Sequence, residues 1–178
     1  MPGIFYQPVG RRNFLKISAG VGAAAFVTGC QSTTGIQSGQ SAGKSFHVAL
    51  LSDTHIPADQ KNGNRGFNPY ENLKQIVPQV TEVEPEGVIL CGDAARLEGL
   101  EGDYRELRGL LEPVAAKAPV YIGLGNHDDR TNFGKVFTLP AGAKAGIKNK
   151  HVVVIDHESL RIVMLDSLLY VNEVAGLL

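Results

Sequence analysis

The chain has 178 residues, 43% of them hydrophobic and 20% charged, values that are ordinary for a soluble globular protein and that name no function by themselves. Its formal net charge is −1, and no run of Lys and Arg is present, which excludes the electrostatic footprint of a nucleic-acid-binding protein. Any affinity for phosphate must therefore come from a local feature, such as metal ions.

The amino-terminal segment, residues 1–29, has the pattern of a signal peptide. Its basic residues Arg11, Arg12 and Lys16 are accompanied by no acid and precede an apolar stretch. That stretch, from Ile17 to Thr28, is shorter than the roughly 20 residues that a membrane-spanning helix needs. The paired arginines, followed at once by Phe-Leu-Lys, resemble the twin-arginine export signal, whose substrates cross the membrane folded. The resemblance implies export to the periplasm or cell envelope.

A lipid anchor is predicted where the signal peptide ends. Val27-Thr28-Gly29-Cys30 resembles a bacterial lipobox, in which the cysteine is acylated and becomes the first mature residue. Ordinary cleavage after Gly29 without a lipid is the alternative. Each buried CH₂ of an acyl chain contributes about 0.8 kcal/mol, so a multiply acylated Cys30 predicts the membrane surface as a partner. Residues 30–45 are rich in Ser, Thr, Gly and Gln, typical of a flexible tether, and we expect the folded domain to span 46–178.

Three short apolar runs in this domain predict buried strands, at Val48 to Leu51, Val88 to Cys91 and Val120 to Leu124. The two intervals between them have helical pattern. Asn68 and Pro69 predict the start of a helix that runs to about residue 83 and is kinked or split at Pro78. A second helix is predicted over 103–117, with an apolar stripe of Leu107, Leu110, Leu111 and Val114. This alternating order predicts parallel strands whose carboxyl ends meet at one edge of the sheet, where open α/β sheets hold ligands.

Three shorter features complete the predicted elements. Residues 129–137 indicate a short helical or irregular piece. Residues 151–155 and 160–165 are β-rich runs, and residues 156–159 between them favour a hairpin turn. Cys91 ends an apolar run and is predicted to be a small buried hydrophobe.

A polar cluster follows each of the three predicted parallel strands: Asp53-Thr54-His55, Gly92-Asp93 and Gly125-Asn126-His127-Asp128. In an extended segment, Asp53 and His55 project to the same side, so a carboxylate oxygen and an imidazole nitrogen can share one cation. Taken alone, such a pair is more often a solvated loop. The three clusters together, in order and at successive strand ends, indicate a metal site.

The second and third clusters add further groups with metal or acid-base chemistry. Gly92 lets the backbone turn sharply, so the carboxylate of Asp93 can face inward. Asn126 offers a neutral amide oxygen to a metal, and His127 can donate a proton. Asp128 is a candidate to orient an imidazole.

These clusters resemble the calcineurin-like metallophosphoesterase family over residues 46–167. The family pattern is Asp-x-His, Gly-Asp, Gly-Asn-His-Asp or -Glu, a lone His and finally Gly-His-x-His, and the local sequence 124–130 is closest to members that act on cyclic nucleotides. The resemblance implies a four-layer α/β/β/α sandwich. This α/β chain would hold its first half, a mostly parallel sheet with flanking helices and a carboxyl-terminal hairpin. The implied function is a phosphoester hydrolase, a phosphodiesterase or phosphatase.

The same resemblance implies a binuclear metal centre with a bridging hydroxide. Asp53 and His55 would bind the first ion, Asp93 would bridge both ions, and Asn126 would bind the second. The centre keeps net positive charge, which attracts an anionic phosphate and activates the bridging hydroxide for attack. Mixed oxygen and nitrogen ligands suit Mn, Fe or Zn.

Four further residues are candidates for catalysis or substrate binding. His127 would assist the transition state or the leaving group, with Asp128 as its orienting partner. Arg96 and Arg130 each follow a cluster closely and could contact phosphate, although exposed arginines at helix starts are common.

The sequence also departs from the family pattern, because the lone His and Gly-His-x-His are absent. The remaining histidines, His47, His151 and His157, are predicted to be solvated or structural. We therefore expect a weak second metal site and an amino-terminal fragment of a phosphoesterase. The alternatives are an inactive fragment or pseudo-enzyme that binds metal or phosphate as an envelope lipoprotein, and a structural lipoprotein with coincidental clusters. The oligomeric state is not indicated.

Overall fold

The computed structural model describes residues 4–5, 46–138, 147–158 and 160–177. Cys30, the tether and nearly all of the predicted signal peptide lie outside these ranges. In chain order the elements are β1 (Ile4–Phe5), β2 (Val48–Leu51), α1 (Pro69–Glu82), β3 (Gly87–Leu90), α2 (Glu101–Ala115), β4 (Val120–Ile122), α3 (Arg130–Val136), β5 (Val153–His157) and β6 (Leu160–Met164). No helix in the described ranges has both the length and the apolar character to cross a membrane.

The described residues form two sheets, and the larger one confirms the predicted parallel arrangement. It has four parallel strands in the order β1-β4-β3-β2, with Val88 aligned to Ala49 on one side and to Val120 on the other. The smaller sheet is the antiparallel hairpin β5-β6. Sequence patterns did not anticipate β1, which comes from within the predicted signal peptide and pairs Ile4 with Val120 at the outer edge of β4.

The two faces of the parallel sheet are covered by different elements. Val88 and Leu90 in β3 belong to the core cluster that includes the buried residues of all three helices. Ile89, between them, packs instead with Val153 and Ile155 of the hairpin. Alternate side chains of a strand point to opposite faces, so helices cover one face and the hairpin covers the other. This is the layering expected for the first half of the sandwich.

The first helix begins as predicted. The side chain of Asn68 accepts a hydrogen bond from the backbone of Glu71, at 3.0 Å, and Pro69 takes the first helical position. The predicted split at Pro78 is wrong, because α1 runs through this residue to Glu82. Pro78 and Lys74, whose carbonyl loses its helical donor, both lie on the exposed side of α1, where water can replace the missing bond.

The second helix starts two residues earlier than predicted because Asp103 caps it. The carboxylate of Asp103 is buried and accepts hydrogen bonds from the backbone nitrogens of Leu100, at 3.2 Å, and Ala58, at 2.7 Å. The predicted apolar stripe of this helix, which includes Leu107 and Leu111, is buried. Helix α3 matches the predicted short piece, with Asp129 as its cap.

Two local predictions fail on the hairpin side of the sheet. Asp156 and His157, placed by the sequence in a turn, are strand residues that pair with Arg161 and Leu160. Cys91 is exposed rather than buried. It lies two residues after Ile89, on the face that the hairpin covers. Leu50, 68% exposed, lies on this same face in β2.

Candidate metal centre

The loops that follow β2 and β3 are joined by backbone hydrogen bonds. Asp53 N donates to Gly92 O at 3.1 Å, and His55 N donates to Asp93 O at 2.9 Å. The φ angles of Asp53, His55 and Asp93 are 53°, 45° and 47°, in the left-handed region that non-glycine residues rarely adopt. The extended conformation predicted for residues 53–55 is therefore wrong. The backbone itself, held by these paired bonds, sets the direction of each side chain.

Two glycines allow the loops after β3 and β4 to approach each other. A Cβ on Gly125 would lie 2.5 Å from Asp93 N and closer still to the carboxylate of Asp93. A Cβ on Gly92, whose φ is 131°, would lie 2.9 Å from Gly125 N. Neither position can hold a side chain without displacing its neighbour. The space beside Gly125 is occupied by the Asp93 carboxylate, which also accepts a hydrogen bond from His127 N at 3.1 Å.

Three of the predicted site residues converge at this edge of the sheet. His55, Asp93 and His127 each offer one ligand atom, and these atoms lie within 4.8 Å of one another. Nε2 of His55 is 3.9 Å from Oδ2 of Asp93, and the two imidazole rings are 5.3 Å apart in an edge-to-face arrangement. Imidazole nitrogen and carboxylate oxygen are donors that Mn, Fe and Zn accept. The group therefore fits a transition-metal ion.

The hydrogen bonds of the two imidazoles indicate which nitrogen each presents. Nδ1 of His55 lies 3.1 Å from the carbonyl oxygen of Arg96, and Nδ1 of His127 lies 3.1 Å from that of Leu97. A carbonyl oxygen can only accept, so Nδ1 carries the proton in both rings and Nε2 keeps its lone pair. This is the second layer of contacts that metal-binding histidines commonly have.

The carboxylate of Asp53 does not belong to this converging group. Asp53 is exposed, and its carboxylate accepts a hydrogen bond from the hydroxyl of Ser52. Asn126 is half-buried in the loop after β4, between Gly125 and His127. Its backbone carbonyl oxygen accepts a hydrogen bond from Asn172 N at 2.6 Å. Both residues nevertheless lie in the loops that carry the three converging ligands.

Asp128 does not orient an imidazole, and this prediction is wrong. Its buried carboxylate accepts hydrogen bonds from the backbone nitrogens of Ala94, Ala95 and Gly125, at 3.2, 2.9 and 2.8 Å. The hydroxyl of Tyr104 donates a fourth bond, at 3.1 Å. Burial raises the pKa of Asp128, while the three amides and the hydroxyl oppose that rise. The carboxylate ties the loop after β3 to the loop after β4.

The two candidate arginines have different surroundings. Arg130 donates through Nε and Nη2 to the buried carboxylate of Asp166, at 2.6 and 2.7 Å, so these nitrogens are committed to a structural ion pair. The guanidinium of Arg96 forms no ion pair with an acid of the described residues, and its Nε has no acceptor there. Of these two arginines, Arg96 is the one whose charge no described acid neutralises through an ion pair, so its charge is available to an incoming anion.

Two residues of the site were missed from the sequence. Asn172, with φ at 62°, places Oδ1 2.7 Å from Nδ1 of His127, from a loop 45 residues further along the chain. An isolated Asn in a loop carries no signal beyond its tolerance of left-handed backbone. Tyr104 lies on the same helical stripe as Leu107 and Leu111, so its burial was predictable, but its bond to Asp128 was not.

Two segments of the chain match known sequence families. Residues 46–173 match the profile of calcineurin-like phosphoesterases. The chain belongs to the calcineurin-like phosphoesterase family. Residues 8–28 match the signal sequence of the twin-arginine translocation pathway, so the amino terminus directs export to the periplasm or envelope.

Several curated relatives are named as cyclic nucleotide phosphodiesterases. A cAMP/cGMP dual specificity phosphodiesterase of Mycobacterium tuberculosis is 32% identical over 66% of this chain and 36% of its own length. Probable cyclic nucleotide phosphodiesterases of Rhodopseudomonas palustris and Rhodococcus erythropolis are 34% and 31% identical, over 71% and 66% of this chain and 43% and 38% of their own lengths. The chain thus spans less than half the length of these relatives.

Two solved phosphatase structures are also similar. A purple acid phosphatase from yellow lupin seeds has a TM-score of 0.49 and 18% identity, over 68% of this chain and 24% of that chain. A dimetal phosphatase from Danio rerio has a TM-score of 0.49 and 17% identity, over 68% of this chain and 44% of that chain.

Proposed function

We propose that this family member is a metal-dependent phosphoester hydrolase of the phosphodiesterase type, acting in the cell envelope. The observation that carries the proposal is the convergence of His55, Asp93 and His127 within 4.8 Å, with both histidines presenting Nε2. The names of the curated relatives support cyclic nucleotides as the substrate class. The chain would supply the first part of the catalytic domain.

The proposed centre is binuclear. Asp53 and His55 would hold one ion, Asp93 would bridge both, and Asn126 would hold the other. When bound, a pair of Mn, Fe or Zn ions would supply Lewis-acid charge for an anionic phosphate and would activate water as the nucleophile. The second ion has only Asp93 and Asn126 as proposed ligands in this chain, so we expect it to bind weakly.

The residues of the chain prepare this centre for an anionic substrate. The carbonyl of Arg96 holds His55 in one tautomer, and Leu97 with Asn172 does the same for His127. We assign to His127 the stabilisation or protonation of the departing oxygen, a role for which Nε2 must first take up a proton. Preorganised groups of this kind reorient little during the reaction, which is how they lower its barrier.

We further propose the division of the chain into a signal peptide at 1–29, a tether at 30–45 and a phosphoesterase domain at 46–178, with a lipid on Cys30. The match of residues 8–28 to the export signal and the lipobox-like sequence before Cys30 support this division. Cys30→Ser should release the protein from the membrane fraction of cells without changing its export. Retention of the variant in that fraction would contradict lipidation.

Metal content and hydrolysis measured together test the proposed function. After loading with Mn²⁺, the full chain should bind at least one ion, and hydrolysis of bis(p-nitrophenyl) phosphate should depend on it. Asp93→Asn should abolish both, whereas Asp156→Asn, on the exposed hairpin, should change neither. Metal binding that survives both Asp93→Asn and His55→Ala would refute the site.

The same experiment separates a second candidate function, a metal-binding pseudo-enzyme. The observation that favours this candidate is that three side chains converge among the His, Cys, Asp and Glu residues of the described ranges, a number that suits one ion better than two. It predicts one ion per chain and no hydrolysis.

A further inference from the structure

A cleft opens beside the metal centre, between the loop of residues 57–68 and helix α1. Its volume is about 420 Å³, which falls within the range of small-molecule sites. Asp53 and His55 form part of its wall, so the cleft is continuous with the metal centre. This space therefore lies next to the position that the organic part of a metal-bound phosphoester would occupy.

A rigid turn presents an aromatic ring at the cleft. Asn64 and Phe67 exchange two backbone hydrogen bonds, of 2.8 and 2.9 Å, around Arg65 and Gly66. The φ angles of these two central residues are 51° and 83°, the pattern of a type I′ turn. The turn holds Phe67 with 69% of its surface exposed, facing the cleft that Ile76 of α1 lines with 39% exposed. Both side chains thus present apolar surface that the described residues leave largely uncovered.

The cleft also carries positive charge that no acid of the described chain neutralises through an ion pair. Arg65 and Arg96 both line it, and neither forms a salt bridge with a described carboxylate. Asp53 is the acid that shares the cleft, and it is also a proposed metal ligand. Arg96 lies at the metal end, since its carbonyl holds His55. A ligand that fits must combine an anion with an apolar, flat group.

We propose that this cleft binds the aromatic substituent of the phosphoester, with its ring against Phe67 and Ile76 and its phosphate beside Arg96 and His55. The inference rests on the proposed function for the position of the phosphate, and it adds residues that determine specificity. An aromatic ring against Phe67 is favoured over an alkyl group because ring pairs gain attraction beyond the area they bury. Arg65 can contribute by stacking on the ring face.

Binding of phenyl phosphate and methyl phosphate to the full chain tests the proposal. Titration calorimetry with the Mn²⁺-loaded and the metal-free protein should give tighter binding of phenyl phosphate by about twofold to tenfold. Phe67→Ala should remove this preference. Val83→Ala is the matched control, because Val83 is also 69% exposed but lies at the opposite end of α1. Phe67→Trp should keep the preference, because it also presents an aromatic ring. The native chain has no Trp, so quenching of the fluorescence of the new Trp reports contact with the ring of the ligand directly.

Each outcome distinguishes the cleft from the metal centre. If metal binds and both phosphates bind equally, the aromatic cleft is refuted while the proposed function stands. If no metal binds, the proposed function fails, and the preference of the metal-free protein for phenyl phosphate still decides the inference, since Phe67 and Arg96 belong to the protein itself. A preference that persists unchanged in Phe67→Ala, or no binding of phenyl phosphate in either form, overturns it.

Discussion

At the scale of single residues, the buried carboxylate of Asp128 does the most to hold the site together. It joins the loop after β3 to the loop after β4 through the amides of Ala94 and Ala95, and it accepts a third bond from Gly125 in its own loop. These loops carry Asp93 and His127. Its position in the Gly-Asn-His-Asp cluster made a contact with an imidazole the natural hypothesis. The density of polar groups in a short sequence does not say which of them face the ligand and which face the backbone.

Asp128→Asn should destabilise the fold by about 1–3 kcal/mol, because its amide nitrogen would face a backbone donor at either oxygen position. Oδ2 accepts from Ala94 and Gly125, and Oδ1 accepts from Ala95 and Tyr104. Urea denaturation measures the change. Asp156→Asn is the control, expected to cost less than about 0.5 kcal/mol because its ion pair is exposed. Equal costs for the two variants would contradict the role of Asp128.

His151 should make the stability depend on pH. It is buried, its Nε2 lies 2.6 Å from the carbonyl oxygen of Ile122, and burial lowers its pKa from the ordinary value of 6.5. Between 6.5 and this lowered pKa, the unfolded chain binds more protons at His151 than the folded protein does. The free energy of unfolding should therefore fall as the pH drops through that window and be fully retained above it.

Urea denaturation from pH 7 to pH 5 measures this slope. His151→Gln keeps an N–H donor for the Ile122 carbonyl but cannot titrate, so its slope should be shallower than that of the native chain. The loss of stability expected from protonation of Asp166 occurs at a lower pH than this window. Burial opposes its ionisation, but Arg130 and the amides of His151 and Leu168 lower its pKa on balance, below the ordinary 3.8. An unchanged slope in His151→Gln would exclude His151 as the source.

At the scale of elements, the ends of β3 and β4 are brought together by main-chain contact rather than by side-chain packing. Gly92 and Gly125 leave no room for a Cβ, and Asp93 fills the space beside Gly125. The positions of two of the ligands, Asp93 and His127, thus follow from how closely these two strand ends approach each other.

Gly125→Ala should displace Asp93 and weaken Mn²⁺ binding by tenfold or more, since the added methyl would lie 2.5 Å from Asp93 N. Calorimetric titration measures the affinity. Gly109→Ala is the matched control, because nothing lies within 4 Å of its added Cβ, in the middle of α2. That variant should bind Mn²⁺ normally and be stabilised by about 0.5–1 kcal/mol, the gain of Ala over Gly in a helix.

The elements themselves were largely predictable from periodicity and caps. The Asn68-Pro69 start, the stripe of α2 and the order of parallel strands are local or alternating patterns, and the structure confirms them. The continuity of α1 at Pro78 was not predictable, because it depends on which face of the helix meets water. The left-handed backbone at Asp53, His55 and Asp93 was not predictable either, because contacts between separate loops impose it.

At the scale of the whole molecule, the chain is a three-layer assembly of helices, parallel sheet and hairpin whose ligand loops emerge at one edge. The order of the clusters along the sequence was enough to predict that edge, since parallel strands carry their carboxyl ends to the same side. Asn172 could not be predicted, since only the folded chain brings it to His127.

Metal binding should stabilise this assembly as a unit. A ligand present at about 100 times its dissociation constant adds about 2.7 kcal/mol to the free energy of unfolding, so saturating Mn²⁺ should raise the melting temperature by about 5–10 °C. Excess EDTA should reverse the shift. His55→Ala should show no shift, whereas His47→Ala, an exposed residue outside the converging group, should keep it. A shift of the same size in both variants would place the ion elsewhere.

The pairing of Ile4 and Phe5 with β4 links the folding of the chain to its export. Twin-arginine substrates fold before they cross the membrane, so the leader would contribute one strand to the precursor while it is still in the cytoplasm. A peptidase that cut after Gly29 would take that strand away and leave the backbone of Val120 and Tyr121 open to pairing with another chain. Cleavage of the signal peptide would then expose an edge of the sheet in addition to completing export.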